Sequence, residues 1–337
     1  MGYMNKLSGR IKQFSILGIL VWVLAFSAVQ VHGQSSSSNS FGDSYRVSPL
    51  RTEITVSQGQ STKVPVYIQN LTPSRVTLRV IRNDFVASDK EDGVPNIILD
   101  DTKFAPYHSL KKFMLTPDTI TLGPNERGLV NVNVAVPSSA QSGGYYGAIR
   151  FAPNGSTNTK NIGVQGSVTS LIILTVPGNL IENLTLKSFD VTQHGKPVSR
   201  LGSRDDVSTI LRLENKGNIQ LAPFGDVFVQ KGKKVLYSAK VNDTNPKNLI
   251  LPGSVRRWDL PLQKLGNFGK YKVSAVVGYG GSGQTITVEK TIWIIPSTVI
   301  FGILFAIALL AVLIFLVVRA LHSYKKRILR NARRGRY

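Results

Sequence analysis

The sequence predicts an all-β protein: two tandem immunoglobulin-like antiparallel β-sandwiches followed by one C-terminal transmembrane helix. Three observations carry this. Apolar and polar residues alternate at period two through most of the chain, the pattern of strands with one buried and one wet face. Turns rich in glycine, proline and asparagine recur between those runs, the spacing of a sandwich. Finally, the twenty residues from Val299 to Val318 carry neither a charge nor a strongly polar group. At about 1.5 Å per residue such a helix is about 30 Å long, the thickness of a bilayer's hydrocarbon core.

From the amino terminus, Lys6, Arg10 and Lys12 precede an apolar stretch from Phe14 to Val31. Val31-His32-Gly33 places short residues near the cleavage positions, so residues 1–33 read as a signal peptide cut before Gln34, with an uncleaved second anchor as the alternative. Residues 34–43 are polar and low in complexity, a disordered linker by composition.

Residues 44–177 form the first predicted sandwich. Val64, Val66 and Ile68 alternate with Pro65, Tyr67 and Gln69, and Val130 to Val136 alternate in the same way. Thr72-Pro73-Ser74, Asp92-Gly93, Gly123-Pro124-Asn125 and Ser142-Gly143-Gly144 supply turn chemistry. A long apolar strand, Val168 to Val176, meets a break at Pro177-Gly178, and residues 178–295 restart the pattern as a second sandwich. There Tyr271, Val273, Ala275 and Val277 alternate, and Ile286 to Ile295 leads into the span. The halves share landmarks in order. Strands end at Asn70 and Asn215, Leu-Gly-Pro and Leu-Pro-Gly turns precede Arg127 and Arg256, and Gly-Tyr segments open a late strand in each. Two sandwiches of related topology are therefore expected.

The span is placed at 297–318 and the basic tail at 319–337. Arg319, Lys325, Lys326 and Arg327 begin a run without acidic residues, and positive charge beside one end of a span marks that end as cytoplasmic. The ectodomain is then extracellular. Trp293 sits where an interfacial aromatic anchor is expected, and the tail's cations can hold anionic headgroups.

Composition bounds the chemistry. There are 41 Lys+Arg against 19 Asp+Glu, a net charge of +22. Three cations lie in the signal segment and eight in the tail, which leaves 30 against 19 in the ectodomain. That excess reads as spread along the chain without interleaved aromatic residues, which argues against nucleic acid and fits an anionic extracellular polymer or a merely soluble surface. The chain has no cysteine, which excludes thiol nucleophiles, thiolate zinc sites and disulfides, so core burial must stabilise each domain. This combination fits an exported bacterial protein.

Catalysis has little to work with. His108 and His194 fall in different predicted domains, and no metalloprotease, serine-hydrolase or phosphate-loop motif is present. The chain reads as a non-enzyme without a cofactor. The densest acidic region surrounds Gly93, where Asp89, Glu91 and Asp92 are candidate Ca²⁺ ligands; a solvated loop is the alternative, and Lys90 within the group favours it. Tyr145 and Tyr146 are candidate ligand-binding residues, with one ring expected inward and the other outward, free to stack on sugar or on a partner strand.

Ser48-Pro49-Leu50, Thr55-Val56-Ser57-Gln58-Gly59-Gln60, the strand ending at Asn70, Leu122-Gly123-Pro124-Asn125-Glu126 and Gly143-Gly144-Tyr145-Tyr146-Gly147-Ala148-Ile149 together resemble the first domain of the WxL-interacting protein family. The resemblance covers about Tyr45 to Val176 and is looser beyond it, at Asn215-Lys216-Gly217-Asn218 and Phe268-Gly269-Lys270-Tyr271. It implies a bacterial surface protein with a signal peptide, two immunoglobulin-like domains, one span and a basic tail. Its first domain would bind peptidoglycan, and a WxL-type surface protein would be a partner. The expected function is non-covalent binding of cell-wall glycan or of another surface protein. A scaffold for other exported proteins, without wall affinity, is the alternative.

Overall fold

The computed structural model describes residues 44–154 and 166–334; the predicted signal segment and linker lie outside them. The first sandwich contains β1 (Tyr45–Ser48), β2 (Arg51–Thr55), β3 (Ser61–Asn70), β4 (Val76–Ala87), β5 (Pro95–Ile97), β6 (Met114–Leu115), β7 (Thr119–Leu122), β8 (Arg127–Ala135), β9 (Gly143–Pro153) and β10 (Val168–Val176). One sheet has the order β1-β3-β8-β6, and the other β2-β10-β9-β4-β5 with β7 added to β4.

The second sandwich contains β11 (Leu184–Gln193), β12 (Lys196–Pro197), β13 (Arg200–Leu201), β14 (Val207–Asn215), β15 (Phe224–Lys231), β16 (Lys234–Val241), β17 (Val255–Pro261), β18 (Gly269–Tyr279) and β19 (Gln284–Ile294). Its sheets run β12-β11-β14-β17 and β13-β19-β18-β15-β16. The helix α1 (Ser297–Arg334) follows.

The alternating residues form the cores. Val64, Val66 and Ile68 of β3 and Val130, Val132 and Val134 of β8 face Leu78, Ile149, Phe151, Ile172 and Leu174 of the opposing sheet. In the second sandwich, Leu211 and Leu213 face Val227, Val229, Tyr271, Val273, Ala275 and Ile292. Each fully buried aliphatic side chain contributes about 1.5–3 kcal/mol relative to exposure, so two clusters of about twenty such residues stabilise two domains without disulfides.

The halves repeat one topology. β1-β3-β8 corresponds to β11-β14-β17, and β2-β10-β9-β4-β5 to β13-β19-β18-β15-β16. In each, the first strand segment crosses to the opposite sheet and pairs there in parallel, β2 with β10 and β13 with β19. The same asparagine device recurs. Asn70 Nδ2 donates to Ser74 O at 2.7 Å and Gly123 O at 2.8 Å, while its Oδ1 accepts from Thr72 N at 3.0 Å. Asn215 Nδ2 donates to Ile219 O at 2.7 Å and Ile250 O at 2.9 Å, while its Oδ1 accepts from Gly217 N at 2.9 Å. Both side chains are fully buried, and both are satisfied by the residues two and four positions on plus one remote carbonyl.

Two expectations need correction. The helix does not stop at residue 318: Ser297–Lys326 is the candidate span by length and composition, and α1 continues through Arg334. Leu, Ala, Lys and Arg are good helix formers, and no glycine or proline intervenes before Gly335. Nor is the excess positive charge evenly spread over the ectodomain. Because strands alternate in direction, residues far apart in sequence share an end of the sandwich, and eight cations gather at one end of the second, beside the exposed Phe268 and Trp293.

Candidate functional site

The strand β9 sends its two tyrosines to opposite faces. Tyr145 enters the first core, its ring 4.8 Å from His108 and 5.0 Å from Phe113, and its hydroxyl donates to Gln141 O at 2.9 Å. Tyr146 leaves the sheet on the other side, as expected, yet it is only 8% exposed. The second sandwich covers it. Its hydroxyl donates to Gln220 Oε1 at 3.2 Å, and burial pushes its pKa well above the usual tyrosine value. An outward tyrosine free to stack on sugar is therefore not found.

Tyr146, Phe85, Ala148 and Ile173 form a third buried apolar cluster, closed by Ile97 and Leu171 from the first sandwich and by Leu249 and Leu251 from the second. Hydrogen bonds rim it: Gly144 N to Asn218 O at 2.8 Å, Gln220 Nε2 to Thr175 Oγ1 at 3.1 Å, and Arg51 Nη2 to Lys247 O at 3.0 Å. The sandwiches thus meet in a packed seam.

The acidic loop after β4 fastens that seam. Glu91 O accepts from Arg257 N at 2.8 Å, and Glu91 Oε2 accepts from Arg212 Nε at 2.8 Å. The loop lies against β17, with Gly93 at φ +72° beside the Arg256 guanidinium, where a Cβ would fall 1.9 Å from Nη1. Asp92 Oδ1 accepts from Val94 N within its own turn. Asp89, Glu91 and Asp92 are consequently not brought together as a calcium site, because Glu91 is committed to Arg212 and Asp92 to its turn. Among the described residues, no three His, Asp or Glu side chains gather to hold a metal ion. Asp84, from the same acidic region, is fully buried and accepts from Ala105 N at 2.8 Å, Ser109 Oγ at 2.6 Å and Lys111 N at 2.8 Å. It folds the long loop after β5 back over the sheet.

Where that loop meets the second sandwich lies a cleft of about 270 Å³, lined chiefly by Phe85, Tyr107, His108, Tyr146, Leu251 and Pro252. Tyr107 stands at its lip, 82% exposed. His108 has a left-handed backbone, φ 52°, and a buried Nδ1 without a partner. Burial holds its pKa below the ordinary 6.5. Such a cleft can accept an apolar group. His194 does not share this site; it pairs with Asp206 at 3.4 Å, at the opposite end of the second sandwich.

The anchor residues fall where the chain leaves the sheet. Trp293 lies at the end of β19, 46% exposed and paired in register with Arg200 and Lys270. Arg319, Lys325 and Lys326 are exposed on α1, and Arg327 belongs to the same helix. The seam itself was missed in the sequence, and one signal pointed to it. Leu171-Ile172-Ile173-Leu174 is apolar on both faces of β10, which requires a cover on each side of the sheet.

No family model matches the chain, and no curated protein matches it in sequence. Among solved structures, it is similar to the class 5 fimbriae chaperone CfaA, at 10% identity and TM-score 0.39, over 73% of this chain and 98% of that one. The Pseudomonas aeruginosa CupB2 chaperone is similar at 9% identity and TM-score 0.34, over 73% and 100%. The PapD-like domain 7 of human CEP192 is similar at 12% identity and TM-score 0.28, over 40% and 86%.

Proposed function

We propose that this is a single-pass membrane protein whose two sandwiches stand outside the cell, with the basic end of α1 in the cytoplasm, and that it binds another polypeptide of the cell surface non-covalently through the seam cleft. The observation that supports this most is the cleft: a preformed, mostly apolar recess between two domains held by a packed seam. Recesses of this kind suit a buried side-chain anchor from a partner. Peptidoglycan binding is the second reading, favoured by the exposed ring of Tyr107, which offers a stacking face beside the recess.

A photo-crosslinking amino acid at position 107 in intact cells tests both, together with co-sedimentation of the detergent-solubilised full chain on purified peptidoglycan. A specific polypeptide adduct, lost with Leu251→Glu, supports the first reading. Pelleting with peptidoglycan that Tyr107→Ala abolishes supports the second. With neither, binding through the cleft is wrong. Protease added to whole cells should digest the sandwiches and spare the basic end; the reverse protection would overturn the orientation.

A further inference from the structure

The two ends of the second sandwich carry very different charge. The end formed by β11–β14 connections, the β15–β16 hairpin and the β17–β18 loop is the one from which the chain enters α1, since β13 pairs with Trp293 and Ile294 there, and β18 begins opposite Ile294. Lys196, Arg200 and Arg204 lie on the first of these segments, Lys231, Lys233 and Lys234 on the hairpin, and Lys264 and Lys270 on the last. All eight are exposed. Only Asp205 and Asp206 oppose them, and among the described residues none of the eight is in an ion pair. At the other end, the connecting segments hold Lys216 and Lys247 against Glu182 and Asp243, a balanced set.

Two aromatic residues accompany the cations, Phe268 at 52% and Trp293 at 46% exposure. Lys231 Nζ donates to Phe268 O at 3.0 Å, which holds the hairpin beside the aromatic loop. The helix entry touches the same surface: Gly202 to Asp205, Asn267, Ser297 and Thr298 border one hollow. Only Ile295 and Pro296 separate β19 from α1, so the end of the sheet lies within about 10 Å of the first helical turn. That is about one Debye length at physiological salt, close enough for surface charge to act.

We propose that this end of the second sandwich is a docking surface for anionic phospholipid headgroups of the leaflet that α1 enters. The lysines and arginines would meet headgroup phosphates, while Trp293 and Phe268 sit at the headgroup boundary where amphipathic and aromatic side chains are favoured. Charge complementarity and continuity with the span together single out the membrane as occupant. This rests on α1 being a span.

The test uses the full chain in nanodiscs of phosphatidylcholine alone or with about one-third phosphatidylglycerol, read by hydrogen exchange. Exchange over 194–206, 231–234 and 262–270 should slow about threefold or more in the anionic discs only, and should recover in roughly half-molar salt. The segment 242–248, at the balanced end, should be unchanged. Lys231→Gln, Lys233→Gln and Lys234→Gln together should remove most of the protection at the hairpin and leave 242–248 as it was. Equal exchange in both discs would overturn the proposal. So would protection in neutral discs raised by soluble polyphosphate without any effect of phosphatidylglycerol, since the surface would then serve a free anionic polymer. If amides 299–318 exchange freely in every disc, the span reading itself fails.

Discussion

Replacing Asn215 by alanine would leave the Gly217 N–H and the Ile219 carbonyl without their partner in a buried turn, while the Ile250 carbonyl would keep only the Leu221 N–H. At about 1–3 kcal/mol per buried group left unsatisfied, partly recovered by water, the expected loss is about 3 kcal/mol, measured by urea unfolding of the full chain in detergent. Asn70→Ala should cost about as much in the first sandwich, for the same reason. His108 makes a pH prediction. Its folded pKa lies below the ordinary 6.5, so the unfolded chain takes up this proton more readily. Stability from the neutral ring is complete above about pH 6.5 and is lost as pH falls toward the lowered value. His108→Asn, which tolerates the left-handed backbone, should flatten that part of the profile. At this scale the asparagines were legible as strand ends. The environment of Tyr146 was not, because period two says which residues share a face and nothing about what covers it.

Among elements, the long strands were read well because a half-buried strand imposes its alternation on the sequence. The two-residue strands β6, β12 and β13 were not, since too few residues carry a pattern. The acidic stretch looked like a loose ligand set because carboxylate spacing does not reveal that Glu91 already has a guanidinium. The turn after β14 offers a sharp test. Lys216 N donates to Asn183 O and Asn218 N to Ile181 O, so the connection between sandwiches runs directly against Gly217. A Cβ there would lie 2.0 Å from Ile181 O, a backbone atom that cannot swing away. Gly217→Ala should destabilise the protein by about 2 kcal/mol and raise hydrogen exchange in residues 179–183, with far smaller effects in β8.

For the molecule as a whole, the seam decides whether two domains behave as one. Among the described residues they are joined by the cluster around Tyr146, the Gln220, Asn218 and Arg51 hydrogen bonds, and the Glu91 strap. Scanning calorimetry of the full chain in detergent should show one transition for the two sandwiches. Tyr146→Ala, which empties an aromatic-sized volume at about 3–5 kcal/mol, should split it into two. The repeated topology was legible from the shared order of landmarks, whereas the polarised charge was not. Lys196 and Lys264 look scattered along the chain and share one end of the sandwich only because antiparallel strands return every second turn to that end.

The register of β19 against β18 has a mechanical consequence. Eleven residue pairs join the two strands from Gly269↔Ile294 to Tyr279↔Gln284, and only Ile295 and Pro296 separate β19 from α1. A pull on α1 directed along β19 would load every rung of that ladder simultaneously, instead of peeling them one after another. A load carried by the sandwiches would reach α1 through a joint arranged to resist tearing.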